Sequence, residues 1–178
     1  TEVCLQGGIH PAFTGQTYLD VLRTVKDAVP DMHVHAFSPL EVTQGARTLG
    51  LGVEAFLRRL KDAGLGTLPG RAAEIVGDEI RRQSCPDKVN TLQWLNVVAT
   101  AHRIGLRTTA TIMFGHLEAP RHWARHLLAI RDLAGAIPAR QRPPRVAAFL
   151  ARFEDYLAPV DVAVAFPHAA DQQADLPV

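Results

Sequence analysis

Hydrophobic positions along the first 135 residues switch repeatedly between two periods, one of about two residues and one of about 3.6. A short run at Glu2–Gln6 predicts a strand, closed by Gly7-Gly8 and Pro11. Tyr18, Leu19, Leu22, Val25 and Val29 then recur at helical spacing and stop at Pro30. Met32–Phe37 alternates His33 and His35 with apolar neighbours and ends at Ser38-Pro39, a second strand. Two helical stretches follow, at 40–49 and 53–63. In the second, Val53, Phe56, Leu57 and Leu60 make the apolar stripe and Gly64 is the C-terminal cap. Leu65–Leu68 predicts a third strand, ended by Pro69-Gly70. Ala72–Val76 and Asp78–Gln83 read as helical. Leu92–Arg103 reads as an amphipathic helix with Thr91 as N-cap and Gly105 as stop. Leu106–Met113, rich in β-branched residues, predicts a fourth strand. Pro120 sits in the first turn of a last helix reaching about Leu133.

Strand then helix, four times over, predicts an α/β fold with parallel strands and helical crossovers. Four units are half of an eight-unit barrel, so the expectation is a partial, incomplete (β/α) TIM-type barrel. All 13 glycines lie between Gly7 and Gly135. The following 43 residues hold six of the 12 prolines and eleven alanines. We therefore expect a boundary at about 135, separating the barrel portion (1–135) from a loosely ordered Ala/Pro/Arg-rich tail (136–178). Within the tail, 146–157 has helical patterning, Val160–Phe166 is strand-like and 169–173 reads as disordered. The tail's composition, with 16 Arg against three Lys in the chain, resembles GC-rich coding sequence read in another frame. The expectation is a partial sequence with an altered end.

The chain has 178 residues, 47% of them hydrophobic and 21% charged, a globular composition. No apolar run approaches the roughly 18–20 residues of a membrane span. Nineteen basic against 18 acidic residues give no electrostatic footprint for nucleic acid. Two cysteines, Cys4 and Cys85, cannot make a disulfide framework and fit a reducing, cytoplasmic setting.

Ligands of parallel α/β folds bind where strands end, and each predicted strand ends in polar or glycine-rich sequence. Gly7-Gly8 permits close backbone approach to a ligand, or is a plain turn. His33 and His35, two apart on a strand, share a face; they suit metal ligation or a hydrogen-bonded pair. With His116 they make a candidate metal-dependent hydrolase site. Glu74, expected to open a helix after Pro69-Gly70, is a cap-region acid or a ligand-binding one. Thr109 and Thr111 close the fourth strand. His122 and His126 lie at i, i+4, but Trp123 replaces the glutamate of a metalloprotease helix. With Arg121, Arg125 and Arg131 nearby they read as a solvated face. Cys4 reads as a small buried apolar residue.

Several runs together resemble a known family. Residues 1–11, the segment His33-Val34-His35-Ala36-Phe37-Ser38-Pro39-Leu40-Glu41, the run 62–70 with Ala73-Glu74-Ile75, and the run 101–116 are similar to radical S-adenosylmethionine enzymes of the FO synthase and futalosine-pathway group. The segment 119–127 looks most like the second subunit of FO synthase or the matching half of the fused enzyme; the menaquinone-pathway relatives differ most there. The resemblance covers about residues 1–134. It implies a radical SAM fold and transfer of the 4-hydroxybenzyl group of tyrosine to 5-amino-6-(D-ribitylamino)uracil. It also implies S-adenosyl-L-methionine and a 4Fe-4S cluster as cofactors, and a first FO synthase subunit or domain as partner. By the same resemblance, Gly7 and Gly8 face the methionine end of S-adenosylmethionine, and His35, Glu74 and Thr111 line the adenosyl or substrate pocket. Two departures accompany it. The family's C-x3-C-x2-C cluster motif has no counterpart here, and the sequence after the last helix does not match. Arg71 also stands where a small or hydroxyl residue is expected. The implied chain is inactive alone, or a non-catalytic S-adenosylmethionine-binding module.

Overall fold

The computed structural model describes residues 1–71 and 73–137. Four strands, β1 (Glu2–Leu5), β2 (His33–Ala36), β3 (Thr67–Leu68) and β4 (Arg107–Thr108), form one sheet in the order β1-β2-β3-β4, with every neighbouring pair parallel. Six helices connect and follow them: α1 (Gly15–Ala28), α2 (Pro39–Thr48), α3 (Val53–Asp62), α4 (Asp78–Ser84), α5 (Thr91–Arg103) and α6 (Pro120–Gly135). Parallel crossovers are almost always right-handed. Strands added in sequence order therefore send their helices to one face of the sheet, which is the arrangement a partial barrel requires.

The burial pattern of β2 shows this one-sidedness. Val34 and Ala36 are fully buried against the helices, while His33 and His35 on the opposite face are only half-buried. The register aligns Cys4, His35, Thr67 and Arg107 in one row across all four strands. Side chains paired this way in a parallel sheet share a face, so this row belongs to the open side.

On the covered side Tyr18, Leu19 and Leu22 of α1, Val42 and Ala46 of α2, Phe56, Leu57 and Leu60 of α3, and Val97 and Ala101 of α5 pack around Val34, Ala36 and Leu68. Full burial of each large apolar side chain contributes roughly 1.5–3 kcal/mol. A second cluster joins Ala73, Val76, Val89, Trp94, Val98 and Ala129. Helix starts follow local chemistry. Ser38 and Glu41 form a capping box before α2, with Pro39 at its first position. Asn90 and Gln93 form another before α5: Gln93 N donates to Asn90 Oδ1 at 2.8 Å, and Asn90 N donates to Gln93 Oε1 at 3.0 Å. The N-cap is thus Asn90, one residue before the expected Thr91.

Two expected elements differ. Residues 73–76 form bends, and α4 begins only at Asp78. The buried Arg81 guanidinium takes the carbonyl of Ala73 at 2.5 Å and that of Ile75 at 3.4 Å, acceptors that a helix would have used for its own ladder. The fourth strand is two residues long where eight were expected. Thr109 N still donates to Leu68 O at 3.1 Å, but Met113 N donates to Glu74 O at 2.9 Å. The chain has left the sheet to follow the loop after β3. The tail readings at 146–157, 160–166 and 169–173, and the ordering of 138–178, lie outside the described residues. Among the described residues no helix is long and apolar enough to cross a membrane.

Gly70 marks the tightest backbone approach. A Cβ there would stand 1.6 Å from the Thr109 carbonyl oxygen, so the loops after β3 and β4 can meet only over a glycine. Gly70→Ala is expected to lower unfolding free energy by about 2 kcal/mol or more, because backbone must move. Gly52→Ala, whose Cβ would meet nothing within 4 Å, is expected to change it by less than about 0.5 kcal/mol in the same urea titration.

Candidate functional site

The loops leaving the strands are tied together by one buried carboxylate. Glu41, in the first turn of α2, is 3% exposed. Its Oε1 accepts the amides of Gly7 at 2.7 Å and Gly8 at 3.0 Å, at the end of β1. Its Oε2 accepts the Ser38 amide at 2.7 Å and the Ser38 hydroxyl at 2.8 Å, at the end of β2. The glycine pair therefore turns its N–H groups inward. The Tyr18 hydroxyl donates to Gly8 O at 3.1 Å. Burial raises the Tyr18 phenol above its usual pKa, and the Glu41 charge adds to that. The Gly7 carbonyl has no hydrogen-bond partner among the described residues. Between His35 and Ser38, Phe37 is held at φ +64°, a left-handed conformation costing a bulky residue roughly 1–2 kcal/mol. Its fully buried ring packs edge-on against Tyr18 at 4.9 Å, which holds the strained turn in place.

His33 and His35 share a face, as their spacing predicts, and converge on one hydroxyl. Thr67 Oγ1 lies 2.9 Å from His33 Nε2 and 2.7 Å from His35 Nδ1. They form a hydrogen-bonded set. Among the described residues no group of three or more His, Cys, Asp or Glu is placed to hold a metal ion, so His116 does not join them. Cys4, expected inside, is exposed on this open face, because the register puts it in the row with His35.

Glu74 and Thr111 lie in the loops after β3 and β4. Glu74 is the second non-glycine residue in the left-handed region, at φ +39°. It does not open a helix. Its Oε1 pairs with Lys88 Nζ at 2.6 Å, and its Oε2 is buried with no partner among the described residues. Thr111 Oγ1 donates to Gly70 O at 3.4 Å, and Gly70 N donates to Thr109 Oγ1 at 3.1 Å. Gly7, Gly8, Glu74 and Thr111 thus follow strand C-termini, while His35 lies within β2 on the open face. Arg71 is exposed, and its carbonyl accepts Trp94 Nε1 at 3.1 Å. Glu41 and Thr67, which organise these residues, had drawn no role from sequence. Glu41 is legible as the fourth member of Ser38-x-x-Glu41, a capping box; its reach to Gly7 and Gly8 spans 34 and 33 residues and leaves no local trace.

His122 and His126 are buried, at 5% and 2% exposure, against the expected solvated face. They continue the stripe through Ala129 and Leu133, whereas Arg121 and Arg125 occupy the exposed positions. His126 Nδ1 accepts the Val76 amide at 3.0 Å. Burial, reinforced by the Arg81 charge, pushes its pKa down to about 4. His122 Nδ1 accepts the Ala119 amide at 2.8 Å, and its Nε2 lies 2.7 Å from Glu79 Oε1. His126 thus ties α6 to the loop after β3, and His122 ties the start of α6 to α4.

Fold and site define a parallel α/β chain with a polar, strained cluster of strand-end loops, the arrangement of ligand-binding β/α proteins. Over three quarters of its length this chain is homologous to the FO synthases. It is 50% identical over 134 residues to the FO synthase of Streptomyces coelicolor, covering 75% of this chain and 15% of that protein. It is 46% identical over 133 residues to the 5-amino-6-(D-ribitylamino)uracil--L-tyrosine 4-hydroxyphenyl transferase of Methanopyrus kandleri, covering 75% of this chain and 36% of that one. The transferase of the same name from Methanocaldococcus jannaschii is 44% identical over 136 residues, 38% of its length. The chain therefore spans well under half of the curated relatives it matches. No family model matches it.

Glu41→Ala would strand the Gly7, Gly8 and Ser38 donors, and is expected to destabilise the chain by about 2–3 kcal/mol in denaturant titrations. Exchange of the Gly7 and Gly8 amides should quicken in the same variant. His126 carries a pH signature. Its folded pKa, about 4, lies below the ordinary value of 6.5. The unfolded chain thus binds the proton first, and stability is full above about pH 6.5 and lost as pH falls towards about 4. His126→Gln, which keeps an acceptor for the Val76 amide, is expected to flatten melting temperature against pH across that window.

Proposed function

We propose that this chain supplies strand-end binding loops of an FO synthase-type radical S-adenosylmethionine enzyme, one joining the 4-hydroxybenzyl group of tyrosine to 5-amino-6-(D-ribitylamino)uracil. The observation that carries the reading is 44–50% identity to FO synthases and to archaeal transferases whose name states both substrates. The geometry supports it in three respects. The Gly7 carbonyl, without a hydrogen-bond partner among the described residues, lies at the end of β1, where in this reading the methionine end of S-adenosylmethionine would lie. Glu74 keeps a buried unpartnered oxygen in the loop after β3. Phe37 and Glu74 hold strained backbone at strand ends, where strain gathers in functional loops. In this reading Gly7, Gly8, His35, Glu74 and Thr111 bind and orient S-adenosylmethionine or a substrate, and the partner is the first FO synthase subunit or domain.

A 4Fe-4S cluster does not fit these residues. Cubane clusters are held by several thiolates, whereas the sequence has two cysteines, Cys4 on the open face and Cys85 buried beside α4. The roles assigned to the chain are therefore binding and orienting, and we propose that it makes no product alone.

A graft tests this. Residues 1–134 replace the matching segment in the Methanopyrus kandleri transferase, which is then assayed anaerobically with both substrates. The expected result is adduct formation within about tenfold of the parent, and a further fall of about tenfold or more on Glu74→Ala in the graft. The ungrafted chain should give none. A folded, cluster-loaded graft that binds neither S-adenosylmethionine nor tyrosine would overturn the reading.

A further inference from the structure

We infer that Glu2, His33 and Thr67 form a polar chain that fixes His35 in the tautomer carrying its proton on Nε2, so that His35 is a directed hydrogen-bond donor on the open face of the sheet. The inference rests on the reading of that face as the ligand-binding one, and adds to it the polarity of the group presented there.

The Thr67 hydroxyl has one proton to give and lone pairs to accept with. It contacts two imidazole nitrogens, His33 Nε2 at 2.9 Å and His35 Nδ1 at 2.7 Å. Thr67 Oγ1 has no other hydrogen-bond partner among the described residues, so with both rings neutral its proton finds an acceptor there only if it donates to one ring nitrogen and accepts from the other. The two tautomers are therefore coupled, and whatever biases one ring sets the other.

The bias comes from Glu2. Its Oε2 lies 3.6 Å from His33 Nε2, beyond hydrogen-bond length but close enough for its charge to favour a proton on that nitrogen. His33 then donates from Nε2 to Thr67, Thr67 donates to His35 Nδ1, and the His35 proton resides on Nε2. The reverse arrangement would turn the His33 Nε2 lone pair towards a carboxylate. Two features hold the rings in place. Thr67 is in direct register with His35. The His33 ring also lies over Gly66, where a Cβ would come within 2.4 Å of it.

His35 Nε2 has no hydrogen-bond partner among the described residues. A fixed N–H there selects acceptors, such as a ring carbonyl oxygen or a carboxylate, and disfavours ammonium groups. Glu2, His33 and Thr67 are positioning residues that act through His35.

The test reads tautomers directly and needs no ligand. Long-range proton–nitrogen NMR of the full chain, labelled with nitrogen-15 histidine, is recorded at about pH 9, where imidazoles are neutral. His33→Gln and His35→Gln spectra give the assignments. The expected wild-type pattern for His35 is a protonated Nε2 and a bare Nδ1. Thr67→Val should convert His35 to a mixture of tautomers, Thr67→Ser should keep the single form, and Glu2→Gln should partly mix it. A wild-type His35 protonated on Nδ1 would overturn the inference, as would a Thr67→Val spectrum unchanged at His35. Should Thr67→Val not fold, Glu2→Gln, altered at an exposed side chain, reads the same balance. The outcome of the graft has no bearing on this spectrum, so the two readings fail separately.

Discussion

The position of every strand-end loop on the β1 side depends on where the Glu41 carboxylate puts its two oxygens. One oxygen gathers the Gly7 and Gly8 amides and the other gathers Ser38. A buried carboxylate is stable only when its lone pairs are filled, and here the donors come from two segments about 30 residues apart in sequence. Local helix capping and long-range loop closure become one requirement. The strained Phe37 turn lies inside this clasp, between His35 and the Ser38 cap. Relaxing φ at Phe37 would move Ser38 away from Glu41, so the strain is held by hydrogen bonds on one side and by the buried aromatic pair on the other.

The β3–β4 side uses a different device. Among the described residues no carboxylate joins its loops; Gly70 and two threonine hydroxyls do so at backbone contact distance. Behind them Arg81 gathers the carbonyls of Ala73, Ile75 and Val89. The donor and acceptor roles are inverted between the two halves. An anion collects amides after β1 and β2, and a cation collects carbonyls after β3. Both are buried charges satisfied mainly by backbone, and both hold irregular chain where regular structure would leave fewer groups to satisfy.

Much of this frame was legible in the residues. The alternation around His33 and His35 fixed both the strand and the shared face of the two rings. Val53, Phe56, Leu57 and Leu60 marked α3, and Ser38-Pro39 marked the start of α2. What escaped is long-range. Apolar Ala73, Ile75 and Val76 look helical until Arg81 claims the carbonyls of Ala73 and Ile75. Leu106–Met113 is β-branched enough for a full strand, yet Met113 bonds to Glu74 instead of a neighbouring strand. Cys4 followed its residue type rather than its register. His122 and His126 have arginine neighbours in sequence, although spacing to Ala129 and Leu133 places them on the apolar stripe. The candidate site was legible as a set of strand ends, while the residues organising it, Glu41 and Thr67, act through partners more than 30 residues away.

The two hydrophobic clusters share a wall. Helix α5 gives Val97 and Ala101 to the first and Trp94 and Val98 to the second, and Leu40 of α2 reaches the second as well. A helix with a core on two sides acts as a mechanical coupler: neither cluster can loosen without exposing part of the other's lining. The α4–α6 layer is accordingly no independent cooperative unit. Opening fluctuations that begin at α6 therefore reach the loop after β3, because Ala73 and Val76 line the same cluster as Ala129 and the Val76 amide is held by His126.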